Sequence, residues 1–348
     1  MTLARSSWAE VIYEGKDISV ALAPYLLGVT YTDHKGGKAD ELSLSLQNRA
    51  GLWSGDWLPN TGDTIQARLH ADDWGEGGGS LFCGTFTVDK LRLSGPPSVA
   101  VLSGLSLPPG LAARKTKRHR AWESATLQTI AGDVASLARM PLVFDAEDTA
   151  PIFRVEQRGE TDLAFLDRLC GEYDLALKVH DGQLVIWSIQ TYGEKEPVTT
   201  YTLGESRVLG WDLEVKAYIW TPRVKVVYQD PLAGKVQQSD AHFSADPDDP
   251  LGVGVGPQSF DEDAAEVLRS ACRSKAEAEA KAKARLQAQQ RHKAEGSLTV
   301  MGDVRLVAGN CIALVGWGKL DGKYMVDDAT HTRAEGYTVQ AKVSRVAA

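Results

Sequence analysis

Cysteine is scarce in this chain of 348 residues, and the four present, Cys83, Cys170, Cys272 and Cys311, are far apart with no Cys-x-x-Cys pair. That excludes a zinc knuckle or a dithiol redox motif and leaves buried free thiols as the expectation. Basic charge is also short. The 38 Lys and Arg against 46 Asp and Glu give a net charge of −8, which argues against a general nucleic-acid binder, because neutralising phosphates needs an excess of cations on the contacting face. Long apolar runs are missing as well. The longest, Val20 to Val29, is broken by Pro24 and is about half of the ~20 residues that a membrane-spanning helix needs. Met1 to Lys16 mixes Arg5, Glu10 and Glu14 with apolar residues and lacks the continuous apolar core of a signal peptide, so synthesis and folding in a cytoplasm are expected.

The signatures of catalysis are absent too. Gly36-Gly37-Lys38-Ala39 lacks the upstream glycine and the hydroxyl of a phosphate loop, and Gly252, Gly254 and Gly256 have the wrong spacing for a dinucleotide fingerprint. There is no Gly-x-Ser-x-Gly elbow and no His-Glu-x-x-His helix. The seven histidines stand singly, and His331, inside an alternating run, reads as structural. A glycan hydrolase needs two placed carboxylates, and among 46 acidic residues a pair carries no signal.

Two charged stretches stand out. Eight carboxylates and no Lys or Arg occupy Asp240 to Glu266. Asp246, Asp248 and Asp249 are close enough to consider calcium, but the stretch lacks the turn glycine and terminal Glu of an EF-hand and reads as an exposed loop. Arg114 to Arg120 holds five Lys or Arg in seven positions. Only Trp122 lies near it, without the interleaved aromatics that stack bases, so it reads as a solvated face or a contact with an acidic neighbouring subunit. No residue is assigned a catalytic, cofactor-binding or metal-ligating role, no cofactor is expected, and the chain reads as a non-enzyme.

What is present is a soluble globular composition, with 43% hydrophobic and 24% charged residues, and a length that suits two or three domains. One pattern occurs twice. Near the C-terminus, Gly309-Asn310-Cys311-Ile312 opens an alternating run, Gly322-Lys323-Tyr324-Met325-Val326-Asp327 a second, and Tyr337 to Val343 a third. Upstream, Gly62-Asp63-Thr64-Ile65, Gly84-Thr85-Phe86-Thr87-Val88-Asp89 and Val99 to Leu102 repeat that order, with Asp72 to Ser80 added as a long hairpin tip. Period-two alternation in both points to an internal duplication of a small antiparallel β-domain.

Along the chain, Trp8 to Val20 reads as a hairpin turning at Glu14-Gly15, and Leu42, Leu44 and Leu46 mark a half-buried strand. Pro108-Pro109-Gly110 closes the first β-domain. A helix is predicted from about Glu123 to Ala138, and a second from about Asp162 to Tyr173 with Thr161 as its N-cap. Asp181-Gly182 marks a hairpin between Leu175 to Val179 and Gln183 to Trp187. β-pattern returns around Tyr201 and at Val224, Val226 and Tyr228. An Ala-rich helix follows to Ala288, with Ser274 and Glu277 spaced as a capping box and Val267, Leu268 and Leu286 as its few large apolar residues.

In this order the chain resembles the phage late control protein D family, the baseplate hub of contractile tails. The resemblance is carried by Asp17-Ile18-Ser19, Pro24-Tyr25-Leu26-Leu27, Tyr31-Thr32-Asp33, Ala39-Asp40-Glu41-Leu42 and Trp57-Leu58-Pro59 to Gly62-Asp63. It continues through Thr126 to Ala131, Glu160 to Leu169, the Ala-rich helix, Gly322 to Val326, His331 and Gly336-Tyr337-Thr338.

The resemblance implies a mainly β chain with an α+β insertion and two similar antiparallel β-barrel domains. The first would span residues 1–110. The insertion, with two helices and a hairpin, would span 111–197. The second barrel would span 198–240 plus 294–348, interrupted at 241–293 by the acidic loop and Ala-rich helix. It further implies a homotrimer joining a threefold central spike protein to a sixfold tail tube or tube-initiator protein, with baseplate wedge and tape measure proteins as further partners and DNA as transient cargo. The chain is similar to the N-terminal part of type VI secretion VgrG but shows no fused spike, lysozyme or peptidase segment. A hub of a DNA-free device, a tailocin or secretion apparatus, is the alternative; a peptidoglycan-degrading tail enzyme is a more remote one.

Overall fold

In the computed structural model, which describes residues 5–107, 112–216, 223–230, 235–242, 265–269, 272 and 274–346, the alternating runs of the N-terminal third are strands. They are β1 (Ser6–Tyr13), β2 (Lys16–Asp17), β3 (Leu26–His34), β4 (Glu41–Gln47), β5 (Thr64–Asp72), β6 (Gly79–Ser94) and β7 (Val99–Leu105), with the short helix α1 (Ser19–Leu22) after β2. They pair antiparallel in the order β2-β1-β5-β6-β7-β4-β3. In β4, Leu42, Leu44 and Leu46 are buried while the serines between them are half-buried, which is the pattern of a sheet with one face on a core. Glu14 and Gly15 take positive φ in the two-residue turn from β1 to β2, the geometry that suits the twist of a tight hairpin.

The insertion follows as α2 (Ala112–Lys115), β8 (Lys117–Ala125), α3 (Leu127–Ala138), β9 (Leu142–Asp145), β10 (Ile152–Thr161), α4 (Asp162–Gly171), β11 (Leu175–His180), β12 (Gln183–Ser188) and α5 (Ile189–Glu194). The helix predicted from Glu123 starts four residues later. Glu123 to Ala125 finish β8 against β10, and the Thr126 hydroxyl accepts from the Thr129 N–H at 3.2 Å, so the first free N–H groups of the helix are satisfied there. Thr161 caps α4 in the same way, accepting from Ala164 N–H. Ile130, Val134, Phe165, Leu166 and Leu169 of the two helices close one core with Leu177, Val179, Leu184 and Ile186 of the β11–β12 hairpin.

The C-terminal part comprises β13 (Thr199–Thr202), β14 (Val208–Val215), β15 (Arg223–Asp230), β16 (Lys235–His242), β17 (Ala265–Arg269), α6 (Lys275–Arg291), β18 (Ala294–Met301), β19 (Cys311–Val315), β20 (Gly322–Arg333) and β21 (Tyr337–Arg345). Two expectations are corrected here. Residues 223–240 were expected in the second barrel, but β15 and β16 form a separate sheet with β17, because Val224, Val226 and Tyr228 close on Ala278, Ala282 and Leu286 of α6. Val267 and Leu268, expected in the helix, lie in β17, which pairs in parallel with β15. Asp246, Asp248 and Asp249 of the acidic stretch lie outside the described residues.

The remaining C-terminal strands pair in the order β13-β19-β20-β21-β18-β14. Taken in chain order, this is the neighbour order of β1-β5-β6-β7-β4-β3. The detail agrees as well. Gly62 N–H donates to Val88 C=O at 2.9 Å and Val88 N–H to Asp63 C=O at 2.8 Å; Gly309 N–H donates to Val326 C=O at 2.8 Å and Val326 N–H to Asn310 C=O at 2.9 Å. The β6–β7 register slips between Val88 and Lys90, and the β20–β21 register between Val326 and Asp328. The β3–β4 register slips between Leu26 and Gly28, and the β14–β18 register between Val208 and Gly210. One difference is that β13 pairs with β19 in parallel. The two sets join through β20 and β3 into one sheet of 13 strands over one continuous core.

Candidate functional site

The two β units and the insertion meet at one end of the β3–β20 pair, and the groups gathered there are charged. Asp33 and Asp40 are buried. The Lys178 ammonium, from β11, lies between them, bonded to Asp33 and 3.2 Å from Asp40. The other Asp33 oxygen accepts from Ala308 N–H at 2.8 Å, ahead of β19. Asp40 accepts from His34 N–H at 3.0 Å, and its own N–H donates to the Ser106 hydroxyl, which in turn donates to Val179 C=O at 3.1 Å. His180 Nδ1 stands 3.2 Å from Asp40. On the outer side, His34 Nδ1 meets Asp328 at 2.6 Å and Lys35 pairs with Asp327.

The environment shifts these groups in a consistent sense. Burial pushes the Asp33 carboxyl above its usual range, with the Lys178 charge opposing that rise. Burial alone would lower the Lys178 ammonium, but the carboxylates of Asp33 and Asp40 outweigh it and raise it. The hydrogen bond from His34 holds Asp328 down at about 2. Charges in low dielectric that are paired and hydrogen-bonded on several sides fix geometry. The arrangement is suited to holding three parts of the chain in register. Among the described residues no group of three or more His, Cys, Asp or Glu is placed to hold a metal ion.

A second joint lies at the tip of the β5–β6 hairpin. Gly77 C=O accepts from Val304 N–H at 3.1 Å, and the Trp74 and Tyr337 rings stand 5.9 Å apart. A Cβ at Gly77 would lie 3.1 Å from Asp303 Cγ and from Gly302 O, so the bare glycine backbone permits the close approach. Asp303 is held by Arg305 at 2.7 Å and by the Tyr201 hydroxyl at 3.1 Å.

His331 sits in β20, fully buried, with Nε2 at 2.8 Å from Leu306 O and Nδ1 at 2.8 Å from the Tyr337 hydroxyl. A carbonyl only accepts, so Nε2 carries the proton and Nδ1 accepts from Tyr337. Burial holds this imidazole down at about 4, and it is neutral and structural. The basic run is corrected in part. It forms α2 and the start of β8, where Arg118 at 3.2 Å and Arg120 both bond Asp162, a carboxylate 1% exposed, and Arg120 stacks over Trp122. Two of its cations therefore hold the start of α4. The four cysteines are buried, and none of them forms a disulfide.

Sequence reasoning singled out none of Asp33, Asp40, Lys178 and Asp162. Asp33, Asp40 and Asp162 lie inside short stretches that carry the family resemblance, yet nothing local marks them as buried. No described helix is long and apolar enough to cross a membrane.

Comparison with known proteins agrees with this architecture. The profile of the phage tail baseplate hub (GPD) family matches residues 100–337. A probable baseplate hub protein of Escherichia phage 186 is 26% identical over 171 residues, which is 49% of this chain and 42% of that protein; the chain thus matches less than half of its curated relative's length. Among solved structures, a tail protein from Neisseria meningitidis MC58 has a similar fold, with TM-score 0.70, 14% identity and coverage of 98% of this chain and 97% of that one. A component of the type VI secretion system of E. coli shares the fold at TM-score 0.55 and 12% identity, over 99% of this chain and 77% of that one. With more than half of its length matched by the family profile, the chain belongs to the phage tail baseplate hub family.

Proposed function

We propose that the chain is a structural, non-enzymatic hub, a homotrimer that joins a threefold central spike to a sixfold tail tube and forms part of the channel wall. The observation that carries this reading is the recurrence of one strand order in two parts of a single chain, with the same hydrogen bonds and register slips at matched positions. Recurrence at that level of detail is what an internal duplication leaves behind. Three copies of a duplicated unit offer six similar faces, so a threefold assembly can meet a sixfold ring.

In this reading the two barrel domains are residues 1–110 and the strands of 198–216 plus 294–348, and the insertion and the α6 sheet flank them. The partners are the spike, the tube or its initiator, wedge proteins and the tape measure, and DNA passes as transient cargo. The net charge of −8 favours passage without tight holding. The chain is made in a host cytoplasm and works in the particle's baseplate.

Light scattering across a concentration series, alone and with the spike protein, tests the assembly. A mass of three chains in either condition is expected; a strict monomer in both overturns the trimer. A zymogram on purified cell walls should show no clearing, and clearing would overturn the non-enzymatic reading.

A further inference from the structure

Several of the exposed apolar side chains lie along two open sheet edges. Leu93, Trp211 and Val215 are 47%, 50% and 40% exposed. Each is on a strand segment that, among the described residues, has no neighbour on one side. The first segment is the outer part of β6, Lys90–Ser94, which pairs with β7 alone because β5 leaves β6 at Thr87. The second is β14, the end strand of the long sheet, paired only with β18. An unpaired, apolar edge is a template for another strand.

The chain already contains the joint that would cover them. By the matched strand orders and register slips, β6 corresponds to β20 and β14 to β3. The outer half of β20 pairs antiparallel with β3, placing Ala329 opposite Asp33, Thr330 opposite Thr32 and His331 opposite Tyr31. Carried through the correspondence, that register sets Leu91 of one copy opposite Val215 of the next, Arg92 opposite Glu214, and Leu93 opposite Leu213. Side-chain parity is right. Ala329, His331 and Tyr31 are buried on the core face of the internal joint, and Leu91 and Leu213, at matched positions, pack against that same core. On the other face an Arg–Glu pair would occupy the position where the Thr32 and Thr330 hydroxyls lie 3.3 Å apart. Glu214 has Lys216 at 2.9 Å, and a carboxylate accepts from two cations.

We infer that Leu91–Ser94 of one copy pairs antiparallel with Asp212–Val215 of the next, so that a second copy of this chain closes each open edge with the register of the internal β20–β3 joint. The contact is head-to-tail, and repetition closes a ring when the rotation allows. The inference rests on the trimeric reading above and adds to it the strands, register and residues that hold the copies together.

Disulfide trapping of the full chain tests it. Directly opposed residues of antiparallel strands have Cα atoms about 4.5 to 5.5 Å apart, within disulfide reach. The Arg92→Cys/Glu214→Cys variant should give, on mild oxidation, a reducible ladder ending at three chains. Arg92→Cys/Asp212→Cys, displaced by two residues, should stay uncrosslinked. Leu93→Asp, at a site exposed in the single chain, should weaken association at least tenfold with an unchanged circular dichroism spectrum and melting temperature. If light scattering finds the trimer while the in-register pair stays uncrosslinked and Leu93→Asp associates normally, the edge pairing is overturned and the trimer stands. A monomer at every concentration, with and without the spike, overturns both.

Discussion

Replacing Lys178 with Met isolates the energetics of the three-way joint. Its side chain is 13% exposed, between carboxylates that are 4% and 0% exposed at Asp33 and Asp40. Removing one partner of a buried ion pair costs about 3 to 5 kcal/mol, because the charge left behind is uncompensated. Here two carboxylates are left, and burial already pushes Asp33 upward. A carboxyl whose folded pKa is raised contributes stability that is full at low pH and is lost as pH rises through the folded value. Removing Lys178 takes away the charge that opposed the rise, so the variant relieves itself by taking up a proton. Its deficit should therefore be smallest near about pH 5 and larger near about pH 8, by at least about 1.4 kcal/mol, the free energy of a tenfold change in proton affinity. Urea unfolding of the full chain at both pH values measures this. In Lys178→Met/Asp33→Asn the amide oxygen still accepts from Ala308 N–H and no charge is left at that position, so much of the loss should return. A deficit under about 1 kcal/mol, or one equal at both pH values, would refute the assignment of Lys178 as the compensating charge.

Two further substitutions probe the second β unit. His331→Phe leaves Leu306 C=O and the Tyr337 hydroxyl without their partner, at a cost of about 1 to 3 kcal/mol each near neutral pH. The wild-type imidazole is held at about 4, so its contribution is present above about 6.5 and falls by about 1.4 kcal/mol for each pH unit of the drop toward 4; the gap between the two proteins should narrow over that range, and a widening gap in denaturant titrations would contradict the buried neutral state. Gly302→Ala would set a Cβ 1.9 Å from Tyr337 Cδ1, and Tyr337 is pinned by His331. The melting temperature should fall by the equivalent of about 3 kcal/mol or more, whereas Gly336→Ala, with open space around its Cβ, should change it by less than about 0.5 kcal/mol.

The strands were legible because each has one face on a core, and a two-residue period records that directly. The repeat was legible for the same reason, reinforced by glycines such as Gly62 and Gly309 that take positive φ in the two copies. What sequence reading misplaced were assignments that depend on partners. Glu123 to Ala125 carry helix-compatible residues, yet β10 takes them as strand. Val224, Val226 and Tyr228 alternate as a barrel strand would, but Ala278, Ala282 and Leu286 of α6 accept their apolar face. The charged joints were invisible for a deeper reason. Lys178 and Asp33 are 145 positions apart, and Arg120 and Asp162 are 42 apart. A lysine that will be buried and one that will face water carry the same local signal.

The internal joint and the open edge differ at matched positions in a way that follows from how each is made. Asp33 and His331 of the internal joint correspond to Val215 and Leu93 of the open edge. Inside one chain the effective concentration of the partner is fixed by connectivity, and Lys178, Ala308 N–H, Leu306 C=O and Tyr337 are always at hand to satisfy the buried polar groups. Polar groups there cost little and fix register. Between copies no such partners exist until the contact forms, and a charge would have to be desolvated each time two chains meet. Valine and leucine avoid that cost and gain roughly 25 cal/mol for each Å² of apolar surface covered. On the core-facing side, polar residues where the chain supplies the partner, and apolar ones where another copy must, are what a single joint geometry used in both settings requires. On the other face, where Thr32 and Thr330 meet inside the chain, the matched Arg92 and Glu214 carry opposite charges.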